Sequence, residues 1–261
     1  MIIKASDGTE LHYTIAGTGV PLVLVGGKTS TIESAWWRYL PVLSRHLRTI
    51  ALDNRGAGQS DKPDFPYTTG LMAQDVLAVL ASAGERSAHF IGISLGGMIV
   101  QQLALTSPTA VRSLILVATH CGGDGLVNEP PPARATQTAD KRLARYANLY
   151  EASFLEEHGD WVEEDARRFG KMPLHAINRQ DQAVRNHRSC DRLGEIKQPA
   201  LVIHGRQDRM VPVNRAEQLA AGLPNCELVL LPGGHQVHSE QFDTLVPLLL
   251  AFIARVEAAR D

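Results

Sequence analysis

The sequence predicts an α/β fold with a mostly parallel central sheet and helices on both of its faces. Three observations support this prediction. Short, near-continuous apolar segments recur along the chain, helix-like segments separate them, and one long stretch without a strand pattern interrupts the alternation. Continuous apolar segments are typical of strands covered on both faces, and strand–helix alternation is typical of a parallel sheet.

The first two strands have a different pattern from the rest. Residues 2–5 and 11–16 partly alternate between apolar and polar side chains, and Asp7-Gly8 separates them. Asp-Gly between two alternating segments is a strong signal for a tight turn between antiparallel strands. We therefore expect an antiparallel hairpin before the parallel part of the sheet.

Six further strands are expected because each segment is almost entirely apolar. They comprise residues 21–25, 47–52, 88–93, 113–117, 200–204 and 227–231. Helices are expected at residues 36–43, 71–83, 98–105, 215–221 and 242–256. In open parallel sheets, functional groups lie in the loops at the carboxyl ends of the strands, so candidate residues are sought there.

Residues 121–195 interrupt the alternation. They contain Pro130-Pro131-Pro132 and then helical sequence rich in Ala, Arg and Glu, with no strand pattern. The stretch is too long for a bare loop in a compact domain. We therefore predict an α/β core of residues 1–120 and 196–261 with a helical insertion at 121–195. We interpret the insertion as a cap over the mouth of the site; the alternative is a helical layer without contact to substrate.

The composition is that of a soluble globular protein. Hydrophobic residues make up 44% and charged residues 21% of the 261 residues, and the formal net charge is -2. This charge provides no field that would attract nucleic acid or an anionic membrane surface. We expect a small-molecule substrate as partner, no nucleic acid, no membrane, and a monomer or homodimer.

Cysteine usage and the terminal sequence bear on the cellular compartment. Cys121, Cys190 and Cys226 show neither close pairing nor metal-ligand spacing, and the N-terminal residues lack a signal-peptide pattern. No apolar run approaches the roughly 18 residues that a membrane helix needs. A reduced, cytoplasmic protein is therefore expected. No metal or organic cofactor is expected either, because no cluster has ligand spacing and no nucleotide-binding glycine pattern follows the first strand.

The most informative motif is Gly92-Ile93-Ser94-Leu95-Gly96, which lies between a predicted strand and a predicted helix. A serine on a sharp strand-to-helix turn projects its hydroxyl outward, and glycines on both sides relieve the crowding. Ser94 is therefore the candidate nucleophile. The backbone N–H of Leu95 is the first expected donor of an oxyanion hole.

A candidate acid and a candidate base follow two of the predicted strands. Asp208 lies in the loop after residues 200–204, and His235 lies in the loop after residues 227–231. His235 would accept the proton of Ser94 during attack, and Asp208 would orient the imidazole. Asp124, which follows the preceding core strand, is a minor alternative for the acid.

These motifs, together with residues 53–61 and 205–212, resemble the α/β-hydrolase superfamily. Within it the chain is similar to cap-bearing small esterases, enol-lactonases, cofactor-free haloperoxidases and C–C bond hydrolases. The resemblance implies a serine hydrolase that cleaves a small carboxylic ester or lactone through an acyl-serine intermediate. A hydrolase that cleaves C–C bonds in diketones or dienones, a thioesterase, a perhydrolase and a slow-turnover small-molecule receptor remain alternatives.

Position-by-position matching with this superfamily assigns the second oxyanion donor to the backbone N–H of Lys28. The family usually has His-Gly and a large apolar residue here, whereas this chain has Gly26-Gly27-Lys28. The Lys28 ammonium either lies near the mouth and favours an anionic or carbonyl-rich substrate, or points outward into solvent. Four further residues are candidates for the substrate pocket, with core packing as the alternative for the side chains: Gly27, Trp36, His120 and Trp161.

Overall fold

The computed structural model of the chain describes residues 1–122 and 146–260. Asp124 and Pro130-Pro131-Pro132 lie outside these residues. No helix within the described ranges has both the length and the apolar character needed to cross a bilayer.

The described residues form one eight-stranded sheet in the order β1-β2-β4-β3-β5-β6-β7-β8. β2 is antiparallel to β1 and β4, and every other neighbouring pair is parallel, as the hairpin and the apolar segments predict. The predicted fold class is therefore confirmed. The strands are β1 (Ile2–Lys4), β2 (Glu10–Ala16), β3 (Pro21–Val25), β4 (Arg48–Leu52), β5 (Ala88–Ile93), β6 (Val111–Val117), β7 (Ala200–Gly205) and β8 (Cys226–Leu231).

Helices connect the strands and cover both faces of the sheet. The α-helices are α1 (Ile32–Ala35), α2 (Tyr39–Leu43), α3 (Thr69–Ser82), α4 (Leu95–Thr106), α5 (Ala152–Glu157), α6 (Gly159–Arg167), α7 (Leu174–Asn186), α8 (Val213–Gly222), α9 (Val237–Glu240) and α10 (Phe242–Ala258). Short 3-10 helices span Pro108–Ala110 and Cys190–Glu195.

The hydrophobic core lies in two layers, one on each face of the sheet. Successive side chains of a strand point to opposite faces, so β3 contributes to both layers. Val23 and Val25 belong to the cluster that includes residues of α3 and α4, whereas Leu22 and Leu24 belong to the cluster that includes residues of α2 and α10. All five residues of β3 are buried, which explains why this strand is continuously apolar in sequence.

The described part of the stretch between β6 and β7 contains α5, α6 and α7. Its two ends meet where Cys121 and Cys190 form a disulfide and Gly122 forms an isolated β-bridge with Arg188. The expectation that the cysteines are unpaired was therefore wrong. Cys121 and Cys190 are 69 residues apart in sequence, but the chain leaving α7 passes beside Cys121, where the Ser189 N–H donates to the Cys121 carbonyl at 2.8 Å.

Candidate active site

Ser94 lies on a sharp turn between β5 and α4, with a φ of 51° and a ψ of -114°. Positive φ is unfavourable for a residue with a Cβ, so the surroundings must hold this conformation. The backbone N–H of Ser94 donates to the carbonyl of Val117 at 2.9 Å, and the Thr119 hydroxyl donates to the carbonyl of Ser94 at 2.7 Å. Both bonds come from the end of the neighbouring strand β6, which fixes the position of the turn.

The two glycines of the motif are required by close backbone contacts. A Cβ at Gly92 would overlap the backbone of Gly96, and a Cβ at Gly96 would overlap the carbonyl oxygens of Val25 and Gly26. The start of α4 therefore packs directly on the ends of β3 and β5. This packing keeps the Ser94 side chain at the carboxyl edge of the sheet.

A continuous hydrogen-bonded chain joins Ser94, His235 and Asp208. His235 Nε2 lies 3.2 Å from Ser94 Oγ, and His235 Nδ1 lies 2.8 Å from Asp208 Oδ2. Asp208 Oδ1 accepts hydrogen bonds from the backbone N–H groups of Met210 and Val211, both at 2.8 Å. The carboxylate is thus held from both oxygens, and the imidazole lies between it and the hydroxyl.

The charged form of Asp208 is favoured by its surroundings. Burial alone would raise the pKa of its carboxyl, but the charges of His235 and His204 and the hydrogen bonds that they make outweigh burial, and the pKa is well below its usual range. His204 was not among the sequence candidates. Its Nε2 donates to the Val211 carbonyl at 2.8 Å and lies 3.3 Å from Asp208 Oδ2. The available signal was a polar side chain in the otherwise apolar strand β7.

The loop after β3 lies against Ser94. A Cβ built at Gly27 would be in van der Waals contact with Ser94 Cβ, at 3.5 Å, so the backbone of this loop runs directly beside the nucleophile. Thr29, two residues on, has a φ of 62° and donates its backbone N–H to Gln180 Oε1 at 2.8 Å. Gln180, which is fully buried on α7, also donates to the Arg55 carbonyl at 2.9 Å. Sequence reasoning missed Gln180, because nothing in the pattern of α7 places it beside this loop.

The Lys28 side chain neither points outward into solvent nor presents an unpaired charge at the mouth of the site, because it is paired with Asp181. Its Nζ lies 2.6 Å from Asp181 Oδ1, and the two side chains are 36% and 29% exposed. Asp181 follows Gln180 on α7, so two successive residues of this helix bind two successive residues of the loop. Both Lys28 and Asp181 line the cavity described next.

Ser94 and His235 open onto a cavity of about 130 Å³. Its lining comes from α4, the segment after β6, α7 and the loop after β7. His120 is part of this lining, as its position after β6 suggested. The other described lining residues are Lys28, Met98, Gly122, Asp181, Val184, Arg185, Arg188, Met210 and Val211.

Neither Trp36 nor Trp161 is among the described residues that line this cavity, so the prediction that they belong to the substrate pocket was wrong. Trp36 is fully buried and packs edge-on against Tyr39, with ring centroids 5.8 Å apart. Trp161 donates its Nε1–H to Ser239 Oγ at 2.8 Å, and the Arg38 guanidinium lies over its ring at 3.3 Å. Trp36 fills the core and Trp161 anchors α6 to the segment after β8, roles that a sequence pattern does not separate from substrate contact.

Comparison with known proteins agrees with this architecture. A family model described as alpha/beta hydrolase fold matches residues 20–159, and a model described as Serine hydrolase (FSH1) matches residues 170–243. The chain belongs to the α/β-hydrolase fold family. The family models and the similar proteins support a hydrolase.

Curated relatives match over nearly the whole chain. "Putative carbamate hydrolase RutD" of Variovorax paradoxus is 32% identical, covering 95% of this chain and 97% of the relative. A 2-hydroxy-6-oxononadienedioate/2-hydroxy-6-oxononatrienedioate hydrolase of Paraburkholderia xenovorans is 29% identical, covering 95% and 93%. Among solved structures, a hydrolase from Pseudomonas aeruginosa has a TM-score of 0.85 at 30% identity, covering 97% of each chain. The enol-lactonase from Burkholderia xenovorans has a TM-score of 0.85 at 25% identity, covering 97% and 100%.

Proposed function

We propose that the protein is a serine hydrolase that cleaves a small carboxylic ester or lactone through an acyl-Ser94 intermediate. One observation carries the proposal: the hydrogen-bonded chain from Ser94 through His235 to Asp208 opens onto a cavity of small-molecule size. A serine hydroxyl becomes a strong nucleophile when an adjacent base removes its proton and a third group orients the base. The three side chains have this arrangement.

Acylation follows from these positions. Ser94 Oγ attacks the carbonyl carbon while its proton moves to His235 Nε2, and Asp208 stays ionised and stabilises the imidazolium. The negative oxygen of the tetrahedral intermediate is bound by the backbone N–H groups of Leu95 and Lys28. When the intermediate collapses, the C–O bond of the ester breaks and His235 gives its proton to the departing alkoxide.

Deacylation repeats the sequence with water as the nucleophile. His235 Nε2 takes one proton from water, whose oxygen attacks the acyl carbon, and returns that proton to Ser94 Oγ as the acyl bond breaks. The products are a carboxylic acid and the free enzyme. Each turnover therefore consumes one water and needs no oxidant or reductant.

Labelling with a fluorophosphonate tests the nucleophile, because this reagent is attacked by activated serines. Wild type should be labelled and should hydrolyse short- and medium-chain aryl esters, whereas Ser94→Ala should do neither. Absence of labelling in wild type, or equal labelling and hydrolysis by Ser94→Ala, would contradict the proposal. Thr106→Ala, which changes an exposed hydroxyl of α4 far along the helix, is the matched control.

The names of the relatives define the substrate panel. It contains aryl esters, lactones, a carbamate and a 2-hydroxy-6-oxo dienoate, because relatives are named as an enol-lactonase, a carbamate hydrolase and a hydrolase of such a dienoate. C–C bond cleavage is the second candidate function and rests on the last of these relatives. A receptor, in contrast, would show a single turnover and a ligand-dependent change in the insertion.

The cytoplasmic location remains a prediction, and one observation argues against it. The Cys121–Cys190 disulfide is a feature of oxidising compartments, and such bonds are rare in the cytosol. A thiol count on protein purified under non-reducing conditions from its native host tests whether the disulfide forms there. One free thiol would favour an oxidising compartment, and three would favour the cytoplasm. A small-molecule partner and a monomer or homodimer also remain proposals.

A further inference from the structure

His120 follows β6 and lines the same cavity as Ser94 and His235, yet it takes no part in the hydrogen-bonded chain that reaches Asp208. The residue is only 4% exposed. Three apolar side chains, Met98, Val184 and Val211, are part of the same lining. A buried polar ring is costly when its nitrogens lack hydrogen-bond partners, so the partners of both ring nitrogens matter.

The tautomer of His120 follows from one hydrogen bond. The backbone N–H of Gly122 donates to His120 Nδ1 at 2.9 Å, so Nδ1 accepts and carries no proton. The neutral ring must then carry its proton on Nε2. No described residue accepts a hydrogen bond from Nε2, this nitrogen keeps some accessible surface, and the residue lines the cavity. His120 thus presents an N–H donor to the space beside Ser94.

The ring stays neutral at ordinary pH. Burial, with the nearby charges of Arg215 and His235, lowers the pKa of His120 to about 4. The imidazole therefore neither takes up a proton from the medium near pH 7 nor competes with His235 as a base. Its chemistry is limited to donating one hydrogen bond.

The backbone around His120 is held from several sides. The Gln101 side chain donates to the His120 carbonyl at 3.1 Å, and the Ser189 N–H donates to the Cys121 carbonyl at 2.8 Å. The disulfide from Cys121 to Cys190 adds a covalent tie directly beside the ring. The direction of the Nε2–H group is therefore set before any ligand arrives.

We infer that His120 is a specificity-determining residue whose Nε2–H binds an acceptor oxygen of the substrate. A substrate that fills the cavity displaces the water available to Nε2, and a buried donor without a partner is costly. The favoured substrates are therefore esters or lactones with a further carbonyl, ether or carboxylate oxygen close to the scissile carbonyl. This inference rests on the proposed function and adds a substrate class to it.

The test compares esters that differ by one oxygen. p-Nitrophenyl methoxyacetate is paired with p-nitrophenyl butyrate, and 2-methoxyethyl butyrate with butyl butyrate, so the extra oxygen lies on either side of the scissile carbonyl. The measured quantity is kcat/KM for the ester with the extra oxygen divided by kcat/KM for its hydrocarbon analogue. Because intrinsic reactivity is the same for every variant, a change in this ratio reports recognition and not general damage to the fold.

His120→Phe should lower the ratio for at least one pair by about tenfold, because the donor is lost while the ring volume is kept. His120→Gln, whose amide N–H can occupy the place of Nε2–H, should restore part of it. The same exchange at an exposed histidine, His46→Phe, should leave both ratios unchanged. Ratios for His120→Phe equal to wild type in both pairs would overturn the inference, whereas a wild type without labelling or hydrolysis would overturn the proposed function.

Discussion

Gln180 on α7 accepts a hydrogen bond at 2.8 Å from the backbone N–H of Thr29, in the loop that follows β3. The same side chain donates to the carbonyl of Arg55, so one buried amide joins the insertion to two loops of the core. Thr29 has a left-handed φ of 62°, which a residue with a Cβ adopts only when its neighbours enforce it. Gln180 therefore holds the conformation of the loop that carries the Lys28 N–H group.

Gln180→Met should lower kcat by roughly 10- to 100-fold while KM changes little, because displacement of the Lys28 N–H group, the proposed oxyanion donor, weakens binding of the transition state more than of the substrate. Steady-state kinetics on an aryl ester and the rate of fluorophosphonate labelling measure the effect. Gln180→Glu, which keeps the acceptor for Thr29, should retain more activity. Gln182→Met changes a neighbouring glutamine whose side chain accepts a hydrogen bond from Arg179 within α7, and it should behave as wild type. A kcat of Gln180→Met equal to that of Gln182→Met would contradict this role.

Lys28→Met should affect charged and neutral substrates differently. The pair of Lys28 and Asp181 is partly exposed, so its loss should change stability by less than about 1 kcal/mol. The substitution leaves the Asp181 carboxylate without its cation at the cavity, and kcat/KM for a carboxylate-bearing ester should fall about two- to fivefold more than for a neutral ester. Lys28→Met combined with Asp181→Leu should remove the difference. Equal effects on the two esters would exclude an electrostatic role for this pair.

His187 should make stability depend on pH. Burial, with the charges of His120 and Arg188, lowers the pKa of His187 to about 3, and its ring is bonded to Thr69 and Ser189 as a neutral group. The unfolded chain then binds more protons at this residue than the folded one. His187 therefore lowers the free energy of unfolding as pH falls from about 6.5 toward 3.

Urea unfolding of wild type and His187→Gln at a series of pH values measures this linkage. Near pH 8 wild type should be the more stable, because the ring packs and bonds well there. The gap in the free energy of unfolding should narrow as pH falls from about 6.5 toward 4.5. A gap that stays constant over this range would show that His187 does not titrate in this way.

The disulfide should contribute to stability, because it closes a loop of 69 residues in the unfolded chain. Cys190→Ala should lower the free energy of unfolding by about 2–4 kcal/mol. Cys226→Ala, which removes the cysteine that is free, should change it far less. Thiol titration of the unfolded, unreduced protein should find one thiol. Three thiols, with equal stability of Cys190→Ala and wild type, would contradict the pairing.

The sequence predicts the sheet and the candidate triad residues for local reasons. Gly92 reflects a backbone contact within the turn, Gly96 reflects the contact of the turn with the end of β3, and Asp208 and His235 each follow a strongly apolar strand. Their meeting point follows from the rule that the carboxyl ends of parallel strands lie at one edge of the sheet. None of these inferences requires knowledge of which strands are neighbours.

Other features depend on contacts between segments that are distant in sequence. Gln180 and Asp181 meet the loop after β3 through the path of the insertion, and the cysteines meet because the segment after α7 passes beside Cys121. Tryptophan is common both in pockets and in cores, so residue type alone does not place Trp36 or Trp161. Their contacts show that Trp36 packs in the core and that Trp161 bonds Ser239. Residue patterns carry no information about such pairings.

Trapping the acyl-enzyme tests the central claim most directly. Wild type, Ser94→Ala and His235→Gln are mixed with a slowly hydrolysed aryl ester, quenched in acid within the first turnover, digested and mapped by mass spectrometry. The account predicts a burst of one equivalent of phenol in wild type and the acyl group on the peptide that contains Ser94. It predicts little or no adduct in the two variants. Full turnover by wild type with no acylated Ser94, or with the acyl group on another residue, would contradict it.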